Sequence, residues 1–439
     1  MYCLVPNHTT PGKRSVTISI QPADSVLEYR LQSENMVQSE FSKGNLFEIS
    51  RNGNDQLEIR KSSQESETLQ FTISFLKGKP KFDGGDGSAA HPYRVSTLEQ
   101  LNAMRLNLSA HYVLTSDIDL SQWGITWVPI GKYVPQGEDL DIKKAFSGAI
   151  DGAGFKLLHL CCDPVKGLDR AKNIGVGFIG CCIDATLKNL NLEACRVSGN
   201  TSVGCLAGEA IRCSFVNCHA VGIVKGVSYV GGMSGGGRDS RFSLCSFSGK
   251  LSAEYDAAGL CVKADYISNC EVNAEISSFS PCGLCSSVTT QIEYCIVRGV
   301  LSGCTNMSGV CCSMGTNTKV IGCICALNRV EIHLSDIFTS HPSYLDISPH
   351  ERRFSAIDQQ DCTDSEYMNT EYRNNFYRSG LQFDGTKDWD DHECMDGFPI
   401  LDEHFRNRTF LESLSWDFKG IWDITEHGPI LKKNAKWSS

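Results

Sequence analysis

Several groups of residues have the types and spacing for chemistry. Cys282 and Cys285 form a Cys-x-x-Cys pair, the spacing of dithiol redox sites. Such a pair is reactive where it opens a helix, which lowers the thiol pKa. Here Leu284 between them falls on a repeating apolar position, so packing is the expected role. Cys311, Cys312, Cys323 and Cys325 offer four sulfurs, but their spacing matches no common zinc module and three of them fall in repeat columns. Asp117 and Asp119 lie two apart, on one face of a strand, as a pair of carboxylates that glycoside hydrolysis would use. Turn and backbone hydrogen bonding is the stronger expectation for both. Asp388, Asp390, Asp391 and Glu393 are calcium candidates, being a cluster of oxygen donors, against the plainer reading of a solvated loop. Gly84-Gly85-Asp86-Gly87 is one copy of a phrase that binds calcium only when stacked, so a turn is expected. Glu209, Arg212, Lys225, Asp256 and Lys263 are the charges a carbohydrate-active groove would have to gather. Nothing in their order along the chain shows that they meet. No catalytic or cofactor-binding residue is assigned, and no cofactor is expected.

These residues sit in a repeat. One apolar residue, usually preceded by Gly, recurs as Phe178, Leu206, Met233, Leu260, Leu284 and Val310, at intervals of 28, 27, 27, 24 and 26 residues. A second column follows 10 to 13 residues later: Leu190, Cys218, Cys245, Cys270, Cys295 and Cys323. Periods of this length signal stacked architectures. Each copy holds short runs rich in Val, Ile, Phe, Cys and Ser, such as Glu271-Val272-Asn273-Ala274-Glu275-Ile276, and none holds a helix-length amphipathic run. The expected fold is all-β: a right-handed parallel β-helix whose coils stack equivalent side chains into ladders, the Cys column pointing inward. Gly and Asn mark corners, with Asn217, Asn269, Asn273 and Asn306 as candidates for left-handed bends.

The phrases Val203-Gly204-Cys205-Leu206-Ala207-Gly208 and Val230-Gly231-Gly232-Met233-Ser234-Gly235 resemble the GLUG repeat of bacterial surface proteins. The lead-in is similar too, from Phe82-Asp83-Gly84-Gly85 through Asp117-Ile118-Asp119-Leu120 to Trp127-Val128-Pro129-Ile130-Gly131, as is the ending around Trp416-Asp417-Phe418 and Trp422-Asp423-Ile424. The likeness spans about 82–433. It implies a β-helix in an extracellular or cell-surface, adhesin-like setting, and no one reaction. Some relatives of that family carry the motif beside a metallopeptidase, which needs His-Glu-x-x-His. His392-Glu393 is followed by Cys394-Met395-Asp396 and lacks the second His.

With 439 residues the chain has room for one long solenoid and a small domain. The formal net charge is −10, with no extended basic stripe, which argues against a nucleic-acid partner and against anionic membranes. No apolar run is long enough to span a bilayer. The opening residues, Met1 to His8, have neither the basic nor the apolar region of a secretory signal. The 22 cysteines recur with the coil period, so they are expected as reduced, buried thiols, which suits folding in a reducing cytoplasm.

Five segments follow. Residues 1–80 alternate as strands and suggest a small immunoglobulin-like β-sandwich, with a hairpin expected at Arg51-Asn52-Gly53-Asn54-Asp55. Residues 81–110 are a linker and a capping helix, with Thr97 as its N-cap, Gln100 completing a capping box, and Leu98, Leu101 and Met104 facing the first coil. Residues 111–332 are the β-helix, with a polar loop at 132–144. Residues 333–380 break the period as an irregular insertion. Residues 381–439 supply final coils and a cap, with Trp416 and Trp422 sealing the C-terminal end of the core. No heptad repeat enforces an oligomer. The function expected is a non-enzymatic adhesin-like or receptor-binding β-helix that presents one long face to a glycan or protein. The alternatives are a delivered effector, toxin component or phage-tail-like protein, and a polysaccharide lyase or hydrolase on the same fold.

Overall fold

The computed structural model describes residues 81–123, 126–132, 144–163, 174–305, 307–315, 317–332, 354–357, 371–384 and 396–432, together with the strand backbones within 3–74 and 135–140. The repeat region is a parallel β-solenoid with three walls. A short wall stacks Ile174–Val176, Thr201–Val203, Ser228–Gly231, Asp256–Ala258, Ser280–Cys282, Met307–Ser308 and Phe354–Ser355. A split wall holds pieces such as Ala207–Ile211 and Ser214–Val216, and the single strand Cys261–Ser268. A long wall stacks Asn191–Ser198, His219–Gly226, Ser246–Ala253, Glu271–Ser277, Ile296–Gly303 and Ile324–Ile332. The pairings along all three are parallel. The stretch 333–380, expected as an irregular insertion, contains Phe354–Ser355, Glu371–Arg373 and Phe376–Arg378, which extend the short, split and long walls in turn.

Alternation along each strand sends every second residue inward, so coil-equivalent residues stack. Phe178, Leu206, Met233, Leu260, Leu284 and Val310 are completely buried, as are Leu190, Cys218, Cys245, Cys270, Cys295 and Cys323. Phe215 and Phe242, one coil apart, stack with centroids 4.5 Å apart and planes 1° from parallel. Burial of each such side chain contributes about 1.5–3 kcal/mol. Each long-wall strand is entered through a corner with a left-handed residue: Asn189, Asn217, Leu244, Asn269, Tyr294 and Gly322, at φ between 50° and 62°. Asn217 and Asn269 are therefore corner residues as expected, Asn273 lies within a strand, and Asn306 falls outside the described residues.

Next in line behind five of these six corners sit thiols, Leu190 following the first. Cys245 Sγ donates to the Ser243 carbonyl two residues back and to Phe215 one coil back, and Cys270 repeats this with Ser268 and Phe242. No disulfide joins the 19 cysteines of the described residues, and 17 of them are buried.

The helix Leu98–Ala103 carries the Thr97–Gln100 capping box and buries Leu98 and Leu101, while Met104, at the start of the following 3-10 turn, is buried as well. The described residues of the C-terminal segment pack beside the core and not across its end. Its two short helices, Asp402–Phe405 and Arg408–Ser413, and its hairpin, Trp422–Thr425 with Gly428–Leu431, lie along the side of the solenoid. There they form a separate apolar cluster with Leu244, Ile296, Ile324 and Ala326. The Trp422 indole donates to Asn269 Oδ1 and the Trp416 indole to the Gly322 carbonyl. The segment is a lateral clasp over several coils, a correction to the sealing role expected of the two tryptophans.

In the N-terminal region the strands are antiparallel. Cys3–Pro6, Ser15–Gln21 and Leu46–Ser50 form one sheet, and Leu27–Ser33, Asn54–Lys61 and Gln64–Ser74 belong to another. The strands on either side of the hairpin expected at 51–55, Leu46–Ser50 and Asn54–Lys61, pair in different sheets and not with each other. Asn54–Lys61 pairs instead with the next strand, Gln64–Ser74.

Candidate functional site

The sequence candidates fall into place one by one. Asp117 accepts from the Lys156 amide, and Asp119 from the Ser121 amide while also pairing with His159 Nδ1 at 2.9 Å. His159 holds the Asp119 carboxyl down at about 2. Both aspartates tie coils together. The Gly84–Gly87 phrase is a turn, with the Asp86 and Gly87 amides donating to the His91 carbonyl. Cys282 donates to the Cys285 carbonyl, and the two sulfurs belong to different apolar clusters, so they do not form a dithiol. Cys311, Cys323 and Cys325 lie in the main core, whereas Cys312 packs on the small cluster of Ala258, Val262 and Cys282. Asp388, Asp390, Asp391 and Glu393 lie outside the described residues, as does most of the 132–144 loop.

Of the five dispersed charges, Arg212 is a corner residue in a bidentate pair with Asp184, both N···O distances 2.8 Å. Lys225 lies in a groove of about 540 Å³ on the outside of the long wall. Gly222, Gly249, Ala274 and Gly299 are register partners on this wall. Gly249 and Gly299 bend with φ of +145° and +110°, and a Cβ on either would lie 1.9 Å from a carbonyl of the preceding coil. Two rows run along the groove. One is Lys225, Ser252, Ser277, Ser302 and Glu331; the other contains Lys250 and Glu275, paired at 2.6 Å. Five strands at about 4.8 Å spacing make each row roughly 19 Å long.

Glu209, Asp256 and Lys263 converge elsewhere, in a notch between the short and split walls. Ser202 and Tyr229 are positioned on the short wall by left-handed backbone, at φ 55° and 54°. Register places Ser202, Tyr229 and Asp256 in one column over three coils. Glu209 and Lys263 lie on the split wall, one coil either side of Gly236. Glu209 folds over Gly236, where a Cβ would sit 2.3 Å from its carboxylate oxygen. Its Oε2 accepts from Ser202 Oγ at 2.8 Å. Lys263 reaches the other way, its Nζ 5.4 Å from the Tyr229 ring centroid. Burial pushes the Glu209 carboxyl up, against the Ser202 hydroxyl and the charges of Lys263 and Arg238. Burial likewise raises Asp256, against Lys263. Tyr229 and Ser202 were missed in the sequence, yet a signal was there. Positions 202, 229 and 256, and 209, 236 and 263, each recur at 27 residues, the local coil length.

No family model matches the chain. It is 30% identical over 159 residues to halomucin from Haloquadratum walsbyi, covering 34% of this chain and 2% of that protein. It is 34% identical over 73 residues to an immunoglobulin A1 protease from Streptococcus sanguinis, covering 16% of this chain and 4% of that protein. Among solved structures an IgA1 protease aligns with a TM-score of 0.44 and 14% identity, over 86% of this chain and 27% of that one. The chain thus spans only part of these proteins, 2%, 4% and 27% of their lengths.

Proposed function

We propose that this chain is a non-enzymatic binding β-helix, of the adhesin-like kind, that takes a glycan along the long-wall groove. One observation carries the reading: Ser252, Ser277 and Ser302 stand in register on successive strands between Lys225 and Glu331. A row of hydroxyls that each donate and accept, with a charge at either end, suits a hydroxylated chain lying along the axis. An extracellular or cell-surface setting belongs to the same reading. The GLUG-like phrases and the partial matches to the two named proteins support it.

The test is a panel of polysaccharides and cell-surface glycans, scored for binding and for cleavage with the full chain. Binding without cleavage, reduced by Ser277→Tyr, is the expected result. Cleavage would replace this reading with an enzymatic one, and silence across the panel would move a protein receptor to first place. A delivered effector that folds in a reducing compartment is the second reading, favoured by the 17 buried thiols.

A further inference from the structure

The notch over Gly236 lies outside the long-wall groove, and its chemistry selects a ligand. Glu209 keeps one carboxylate oxygen without a hydrogen-bond donor among the described residues, while Ser202 occupies the other. Lys263 has no ion-pair partner there, and its ammonium rests near the Tyr229 ring. Tyr229 is 38% exposed, one of few large apolar side chains so displayed on the solenoid. The two carboxylates and the nearby Lys263 and Arg238 cancel in charge, so neither a cation nor an anion gains from the notch as a whole. What remains is a neutral ligand rich in both donors and acceptors, with a face that can lie on an aromatic ring. A half-buried carboxylate over glycine is also a poor structural choice, since an apolar side chain would fill the same space at less cost.

We propose that the notch is a binding subsite for a single neutral sugar unit. Glu209 and Asp256 accept hydrogen bonds from its hydroxyls, Lys263 donates to a ring or hydroxyl oxygen, and Tyr229 stacks on the ring. Gly236 leaves the room that Glu209 uses. The site is independent of the groove reading, being on other walls and built from other residues.

The experiment is saturation-transfer NMR and titration of the full chain with free glucose, galactose, mannose, N-acetylglucosamine and glucuronate. At least one neutral sugar is expected to bind. Tyr229→Ala and Glu209→Gln should each weaken it about tenfold or more, equivalent to about 1.4 kcal/mol. Lys156→Ala, an exposed residue outside both the notch and the groove, should leave monosaccharide binding unchanged. Thermal unfolding of each variant confirms the fold, and Tyr229→Ala removes an exposed ring that the core does not need. Three results would overturn the proposal: no neutral sugar binds, only glucuronate binds, or binding survives both notch variants.

Discussion

Glu209 carries the clearest residue-scale consequence. Its carboxyl is raised in the folded protein above its ordinary value of 4.5, with burial as the main cause. A raised acid is a penalty that is fully present above the folded pKa and vanishes below the unfolded one. Glu209→Gln keeps the shape and removes the charge. The variant is therefore expected to unfold at a temperature no lower than wild type at pH 7, with any gain shrinking as pH falls towards 4. A loss of stability that is independent of pH would show that the Ser202 hydrogen bond outweighs the charge. The thiols give a second test. Burial pushes Cys295 and Cys323 well above the ordinary thiol range, and Cys325 to about 12. Iodoacetamide at pH 8 should spare the 17 buried cysteines in the native protein and label them after denaturation. Rapid native labelling of the Cys218–Cys323 column would mean that the coils open locally.

At the scale of elements, the bend in the long wall and the clasp follow different logics. Gly249 combines a left-handed-side φ with a carbonyl at 1.9 Å from any added Cβ. Gly249→Val is expected to cost more than the 1–3 kcal/mol of backbone strain alone, read by chemical denaturation. The clasp is tied by one largely buried ion pair, its side chains 12% and 16% exposed. Arg298 Nη1 meets Glu271 Oε1 at 2.5 Å and its Nη2 donates to the Pro429 carbonyl, while Glu271 Oε2 accepts from the Leu431 amide at 2.8 Å. Arg298→Ala leaves Glu271 buried without its cation, and about 3–5 kcal/mol of destabilisation is expected. How much of this was legible in the chain follows from direction. The inward columns were, because Phe178 to Val310 and Leu190 to Cys323 repeat with the coil and must all face one core. The clasp was not, because outward residues obey no such period. Leu244 and Tyr294 held the missing signal: both stand where Asn189, Asn217 and Asn269 stand, in a left-handed corner that suits Asn and penalises larger side chains. Leu244 is buried under the clasp, and Tyr294 packs against the same cluster. The notch was hidden for a related reason. Glu209 and Lys263 each reach one coil along the axis, in opposite senses, and a repeat alignment records phase but not reach.

On the scale of the whole molecule, a solenoid is close to one-dimensional, each coil touching only its neighbours, so stability is local and a defect spreads little. The clasp breaks that rule. Its tryptophans contact Asn269 and Gly322, and its cluster takes in Leu244, Ile296 and Ala326, so one element bridges coils that otherwise communicate only through stacking. Coils upstream of Leu244 have no such brace in that cluster. Trp422→Ala removes a fully buried side chain, at about 3–5 kcal/mol. If the brace couples the coils, hydrogen exchange in this variant should rise together across 244–326 and stay near wild type in 178–216. A rise confined to 416–432 would show that the clasp rests on the solenoid without holding it. A uniform rise along every wall would show that the coils already unfold as one unit, with the clasp adding to a cooperativity that the stacked walls supply by themselves.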